Sequence, residues 1–169
     1  MDGRRHVLIR TLAAVVGARL AAAGQMVTVA ESCTGGLLAA ALTDVPGSSA
    51  WFGYGFVTYV AEAKHKLLGV AWERLDSKAI VSEATALSMA RGALGVSGAD
   101  IAIGVTGIAG PTGGTPECPV GTVVIGWVAD GWEYAETHRF TGDRSAVRAQ
   151  AVVAALNGLQ GWLGPAFPG

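Results

Sequence analysis

Three runs of β-branched and aromatic residues end beside side chains that can do chemistry. Val27-Thr28-Val29-Ala30-Glu31 leads into Ser32-Cys33-Thr34-Gly35-Gly36. Gly55-Phe56-Val57-Thr58-Tyr59-Val60 leads into Ala61-Glu62-Ala63-Lys64, and Ile101-Ala102-Ile103-Gly104-Val105 into Thr106-Gly107-Ile108-Ala109-Gly110-Pro111. In an open α/β sheet, ligands bind just outside the carboxyl ends of the strands. If the three strands are parallel, Ser32, Tyr59, Lys64 and Thr106 converge on one crevice. A hydroxyl beside an amine that could serve as its base is the minimum equipment for acyl transfer.

Each of these residues also has a plainer reading. A lone serine in a strand-to-helix turn is usually only packed there, and Cys33 is a rival nucleophile because thiols are intrinsically more reactive. Amides at the Thr34-Gly35-Gly36 helix start could hold an oxyanion or a phosphate. Lys64 reads ordinarily as a solvated helix lysine, but facing the crevice it would lose solvation and fall in pKa toward that of a working base. Tyr59 could orient that amine or relay a proton, or simply cap the sheet edge. His65 could pair with Cys33. Arg144 and Arg148 share a helix face that suits a phosphate, or they are two solvated arginines.

The glycine-rich loop from Gly107 to Gly114 contains no lysine, so it is not a Walker loop, and the GxGxxG and GxSxG patterns are absent. No His/Cys/Asp/Glu ligand spacing calls for a metal, and no cofactor is implied.

The 169 residues are 51% hydrophobic, which predicts one domain over residues 1–169 with a substantial core. A mean hydropathy of +0.42 raises the question of a membrane segment. The uncharged stretches are broken by Gly, Pro, Ser and Thr, however, and the excess is Ala and Val, which suits a sheet buried on both faces. The apolar start reads as an amphipathic helix rather than a leader, since Arg10 and Arg19 interrupt it. A net charge of −1 without a basic stripe argues against nucleic acid as partner. The two cysteines form no CxxC pair, which fits a reducing cytoplasm.

The element order predicted is a helix over about 4–23, a strand over 26–31, and a helix from Thr34-Gly35-Gly36 to Thr43. A strand over 55–60 and a short helix over 62–68 follow. Next come a helix from Ser82-Glu83 to Leu94, a strand over 100–105, and strands over 120–128 and 133–140 joined at Asp130-Gly131. The last helix is capped by Asp143 and runs to about Leu163. That order implies a three-layer α/β/α sandwich around a mixed, mostly parallel sheet with a C-terminal antiparallel hairpin.

Seven blocks spread in order along the chain resemble one family. They are Ala30-Glu31-Ser32-Cys33-Thr34-Gly35-Gly36, Pro46-Gly47-Ser48-Ser49-Ala50-Trp51-Phe52, Phe56-Val57-Thr58-Tyr59 with Glu62-Ala63-Lys64, Val81-Ser82-Glu83, Thr106 to Gly114, Pro119-Val120-Gly121-Thr122-Val123 and Gly142-Asp143-Arg144. They are similar to the nicotinamide-nucleotide amidases (PncC), which resemble the carboxy-terminal domain of the competence/damage-inducible protein CinA. The resemblance implies the same sandwich fold and a small-molecule nucleotide substrate. The implied reaction is hydrolysis of nicotinamide mononucleotide to nicotinic acid mononucleotide and ammonia, in pyridine-nucleotide salvage. It places the nucleophile on Ser32 and the family's tyrosine and lysine on Tyr59 and Lys64. Thr34, Gly35, Gly36, Thr106, Gly107 and Arg144 are then expected at the substrate, in a homo-oligomer with no membrane.

The chain departs from the family at three places. Val60-Ala61 stands where many members have Ser-Asn, Cys118 where many have lysine, and Lys78-Ala79-Ile80 where many have His-Gly-Ala. The larger protein's amino-terminal domain is not expected in a chain of this length. The competing readings are a nucleotide-binding module without catalysis, and an amidase built on Cys33 and His65.

Overall fold

A single five-stranded sheet organises the chain. The computed structural model describes residues 3–76 and 79–164. Helix α1 (Gly3–Ala23) stops at Gly24, whose φ of 65° is cheap only for glycine, and β1 (Val27–Glu31) follows. Then come α2 (Leu37–Thr43), β2 (Phe52–Val57), α3 (Ala61–Leu68) and α4 (Glu83–Ser97). Strands β3 (Ile101–Gly107), β4 (Thr122–Ala129) and β5 (Trp132–Arg139) precede α5 (Arg144–Trp162). Single 3-10 turns at Ser48–Ala50 and Trp72–Arg74 are additions to the predicted order.

The strand order is β2-β1-β3-β4-β5, with β2, β1 and β3 parallel and β4 antiparallel to both neighbours. Four of the five strands therefore point the same way. The carboxyl ends of β1, β2, β3 and β5 and the start of β4 all meet at one edge of the sheet. The connection from β1 to β2 passes through α2 on one face, and that from β2 to β3 through α3 and α4 on the other. The two crossovers part between β1 and β3, a topological switch point of the kind that opens a ligand crevice.

Alternation along the strands divides the core. Val27, Val29, Ile101, Ile103, Val105, Val123, Ile125 and Trp127 pack with α1, α2 and α5, while Ala30, Ala102 and Val128 pack with α3 and α4. Strands β3 and β4, covered on both faces, are buried almost throughout, so their sequences are apolar without a two-residue rhythm. Helix α1 buries Ile9, Ala13, Val16, Gly17 and Leu20 along one stripe. Among the described residues it is the one helix long and apolar enough to cross a membrane by length and composition.

Three elements differ from their expected extent by three residues: α2 begins at Leu37 rather than Thr34, α4 runs on to Ser97 rather than Leu94, and β2 is shifted at both ends. The second strand was expected over 55–60 but runs over Phe52–Val57. Its pairing with β1 sets the limits: Val27 N donates to Trp51 O at 2.8 Å, and Thr58 N donates to Glu31 O at 2.8 Å. Beyond Thr58 the chain leaves the sheet, so Tyr59 lies in a loop.

Gly104 and Gly126 face each other across β3 and β4, and α4 lies directly on them. A Cβ at Gly104 would sit 2.1 Å from the Ala86 carbonyl oxygen, which is main chain and cannot swing aside. Gly104→Ala should therefore destabilise by about 2–3 kcal/mol, read as a fall in Tm of roughly 4–12 °C. An unchanged melting curve would mean that α4 can lift off the sheet at no cost.

Candidate active site

Ser32 follows β1, and its place in the strand alternation turns its side chain toward the α3–α4 face. Glu31, one residue earlier, turns the other way. Ser32 N donates to Val105 O at 2.9 Å, extending the β1–β3 ladder by one step. Opposite stands Lys64, the fourth residue of α3, with only 1% of its surface exposed. Its Nζ lies 2.9 Å from Ser32 Oγ, 2.7 Å from Thr58 O and 3.3 Å from Tyr59 O. Ser32 Oγ is itself 3.4 Å from Tyr59 O.

These partners define a protonation pattern. A neutral amine has two hydrogens and one lone pair. Two of the three neighbours are carbonyls, which only accept, and the third is a hydroxyl, which can donate. Lys64 Nζ donates to Thr58 O, Tyr59 O and Ser32 Oγ, three acceptors for the three hydrogens of an ammonium, and loss of one proton leaves a lone pair able to face the serine hydroxyl. Burial lowers the Lys64 pKa from 10.5 to about 8, and no carboxylate offsets it. At pH 7 about one-tenth of the lysine is then neutral.

The turn carrying Ser32 is held from two sides. The Glu31 carboxylate, fully buried, accepts from Gly36 N at 3.0 Å, Leu38 N at 3.1 Å and Ala39 N at 2.8 Å. From α5, Arg148 donates to Cys33 O at 3.1 Å and Thr34 O at 2.8 Å. Sequence reasoning gave Glu31 no role, although an acid closing an otherwise buried strand before a glycine-opened helix start is a readable signal. Arg148, for which a phosphate or solvent was the open choice, is spent on main chain. Gly35 N donates to Ser32 O at 3.0 Å and Leu37 N to Thr34 O at 3.2 Å. The amides of Gly35 and Gly36 are thus already taken, and Thr34, Gly35 and Gly36 brace the turn without lining the cavity.

Cavity walls come from Ser32, Cys33, Tyr59, Lys64, Ile80, Val81, Thr106 to Gly110, the following loop with Glu117 and Cys118, and Arg144, around about 860 Å³. The structure brings together Ser32, Tyr59, Lys64, Thr106, Gly107 and Arg144 as expected. Thr106 contributes wall rather than a free hydroxyl, since its Oγ1 donates to Ile80 O at 2.8 Å. In β3, residues 106 and 108 direct their main-chain groups to β4, and 105 and 107 direct theirs toward β1. Strand β1 stops opposite Val105, so the Gly107 amide faces the crevice.

Arg144 opens α5 behind the Asp143 cap, whose Oδ1 accepts from Ala146 N at 2.7 Å. Its guanidinium donates to Gly110 O at 2.7 Å and to the Tyr59 hydroxyl at 2.6 Å. Asp143 spends its carboxylate on capping the helix, no acidic residue occupies the first turn of α5, and Arg144 is the charged group that α5 presents to the cavity. That arrangement favours an anion.

Among the described residues no hydrogen bond joins the rival pair, although Cys33 borders the cavity. Cys33 packs in the core beside α1, α2 and α5, and burial pushes its thiol up to about 11. His65 Nδ1 lies 2.9 Å from Val70 O, and its ring stacks on Trp72. Of the family departures, Cys118 lies on the cavity wall and Lys78 falls outside the described residues. Val60 is the N-cap of α3 and makes no side-chain capping bond, where a serine could make one. A shallower depression of about 310 Å³ between α1 and α5 is lined by Leu8, Phe140 and Val153 and holds no nucleophile.

Comparison with known proteins shows the family. Residues 9–163 match the model of the CinA C-terminal domain. The chain belongs to the CinA C-terminal domain family. It is 52% identical to a protein of Enterobacter agglomerans named nicotinamide-nucleotide amidohydrolase PncC, covering 88% of this chain and 91% of that one. A putative competence-damage inducible protein of Symbiobacterium thermophilum is 53% identical over 86% of this chain but only 36% of its own length. The crystal structure of a CinA superfamily protein from Klebsiella pneumoniae superposes with a TM-score of 0.88 at 44% identity, covering 92% and 97% of the two chains.

The Glu31 anchorage yields a test. Glu31→Gln replaces an acceptor-only carboxylate by a group with one acceptor oxygen and sends an NH₂ toward an amide donor. Urea denaturation should show a loss of about 1.5–3 kcal/mol. A loss below about 0.5 kcal/mol would show that the three amides find other partners.

Proposed function

We propose that this protein hydrolyses nicotinamide mononucleotide to nicotinic acid mononucleotide and ammonia through an acyl-enzyme on Ser32. The observation that carries the reading is the Lys64 amine, buried without a carboxylate and 2.9 Å from Ser32 Oγ. The name of the 52% identical relative supports the substrate.

In the first step Ser32 Oγ passes its proton to neutral Lys64 and bonds to the carboxamide carbon. The carbonyl electron pair moves onto oxygen, where the Gly107 amide is placed to receive it. Collapse of the tetrahedral intermediate breaks the C–N bond, and the proton on Lys64 goes to the departing nitrogen as ammonia forms. Water then attacks the ester, giving its proton to Lys64, and the acid leaves as Ser32 regains its hydrogen. One water is consumed per turnover. The cationic pyridinium withdraws electrons from the carboxamide and makes it a better electrophile than a peptide. Arg144 at the start of α5 is the group to meet the 5′-phosphate, worth roughly one to two decades in specificity.

Ser32→Ala should abolish ammonia release from the mononucleotide, while Cys33→Ala should retain most of it. The reverse pattern would move the nucleophile to the thiol. No ammonia from the wild-type chain would instead favour a binding module.

The lysine sets the pH dependence. Its folded pKa is depressed by burial, so the active neutral form grows as pH rises. Above pH 7 the substrate phosphate is already doubly ionised. From there kcat/KM should climb, pass half its plateau near pH 8 and level about one unit higher. Lys64→Arg should lose about 10²–10⁴ in rate, because guanidinium cannot accept the proton. A flat profile with an active arginine variant would reduce Lys64 to a fixed charge.

A further inference from the structure

Tyr59 faces two ways. Its main-chain carbonyl lies against the chemical centre, 3.3 Å from Lys64 Nζ and 3.4 Å from Ser32 Oγ. Its phenol points away from that centre to the cavity mouth, where the hydroxyl accepts from Arg144 at 2.6 Å. No hydrogen bond joins the phenol to Lys64 or Ser32 among the described residues. The side chain is 53% exposed, so packing alone does not fix it.

Arg144 in turn connects three pieces of chain that share no strand pairing with one another. They are the N-terminus of α5 on which it sits, the loop after β3 through Gly110 O, and the loop after β2 through the Tyr59 hydroxyl. Two of the five guanidinium N–H groups are used in these bonds, and three remain. A guanidinium anchored at two corners keeps a fixed plane, and its remaining donors are oriented before any ligand arrives.

The geometry points to Tyr59 as a positioning and specificity residue: its phenol holds Arg144 in place to recognise an anionic phosphate and takes no part in proton transfer. This rests on reading the cavity as a mononucleotide site. The contribution of the tyrosine to chemistry then comes from its backbone, which any residue supplies, whereas its side chain serves binding.

The test substitutes Tyr59→Phe in the full chain, alone and combined with Arg144→Ala. Three quantities are read: the Kd of nicotinic acid mononucleotide, which is not turned over; kcat on nicotinamide mononucleotide across pH; and the rate at which phenylglyoxal modifies Arg144, followed by peptide mass spectrometry. Tyr59→Phe should weaken product binding about tenfold and leave kcat within about threefold. It should keep the ascending limb near pH 8 and speed Arg144 labelling several-fold. Arg144→Ala should weaken binding more, and adding Tyr59→Phe to it should change Kd by less than about twofold, since the phenol acts through the arginine. A fall in kcat of about a hundredfold or more with Kd and labelling unchanged would assign the phenol to proton transfer and overturn the proposal. Additive losses, or no change in any quantity, would overturn it equally. If the wild-type chain neither binds the product nor releases ammonia, the mononucleotide reading fails, and the labelling rate still decides whether Tyr59 holds Arg144.

Discussion

A lysine amine enclosed by two carbonyls and one hydroxyl is the interaction on which the rest of the site depends. Removing it from water favours the neutral form. The fixed carbonyls of Thr58 and Tyr59 hold two of its hydrogens, and its third position faces Ser32 Oγ, the place of the lone pair once a proton is lost. Both carbonyls come from the stretch where the chain leaves β2. The early end of that strand shapes the site: had the ladder continued, the Thr58 carbonyl would have faced β1 and the Tyr59 carbonyl the open edge of the sheet.

Holding a serine opposite such an amine requires a rigid turn, and the chain supplies rigidity with buried charge. Glu31 gathers three amides of the α2 start, and Arg148 gathers two carbonyls from the other flank. Charge-assisted bonds of this kind are shorter and stronger than neutral ones. A carboxylate inside and a guanidinium from α5 thereby tie the first strand turn to the last helix, about 115 residues later in the chain. Local geometry at Ser32 is therefore a property of the whole sandwich.

Much of this was legible in the sequence. Apolar runs, glycine stops and the Asp143 cap gave the order of elements, because each acts locally. The convergence of Ser32, Tyr59, Lys64 and Thr106 followed from assuming parallel strands, which β2-β1-β3 are. The limits of β2 were not legible: Phe-Gly-Tyr-Gly-Phe-Val at an edge lacks a clear rhythm, and its register is set by β1. Nor could the partners of Arg148 or the amides taken by Glu31 be read, since a side chain's destination depends on which distant main chain arrives beside it. Arg144 and Arg148 look alike on a helix face, yet one meets a cavity and the other a turn.

The glycine-rich segment after β3 forms a wall of the cavity without supplying a side chain to the serine–lysine pair. Its Gly110 carbonyl is held by Arg144. Pocket shape and bond-breaking thus reside on separate stretches of chain. Residues 111–118 can be exchanged to suit a bulkier or slimmer ligand while the hydroxyl and amine keep their spacing, and Cys118 stands in that exchangeable wall.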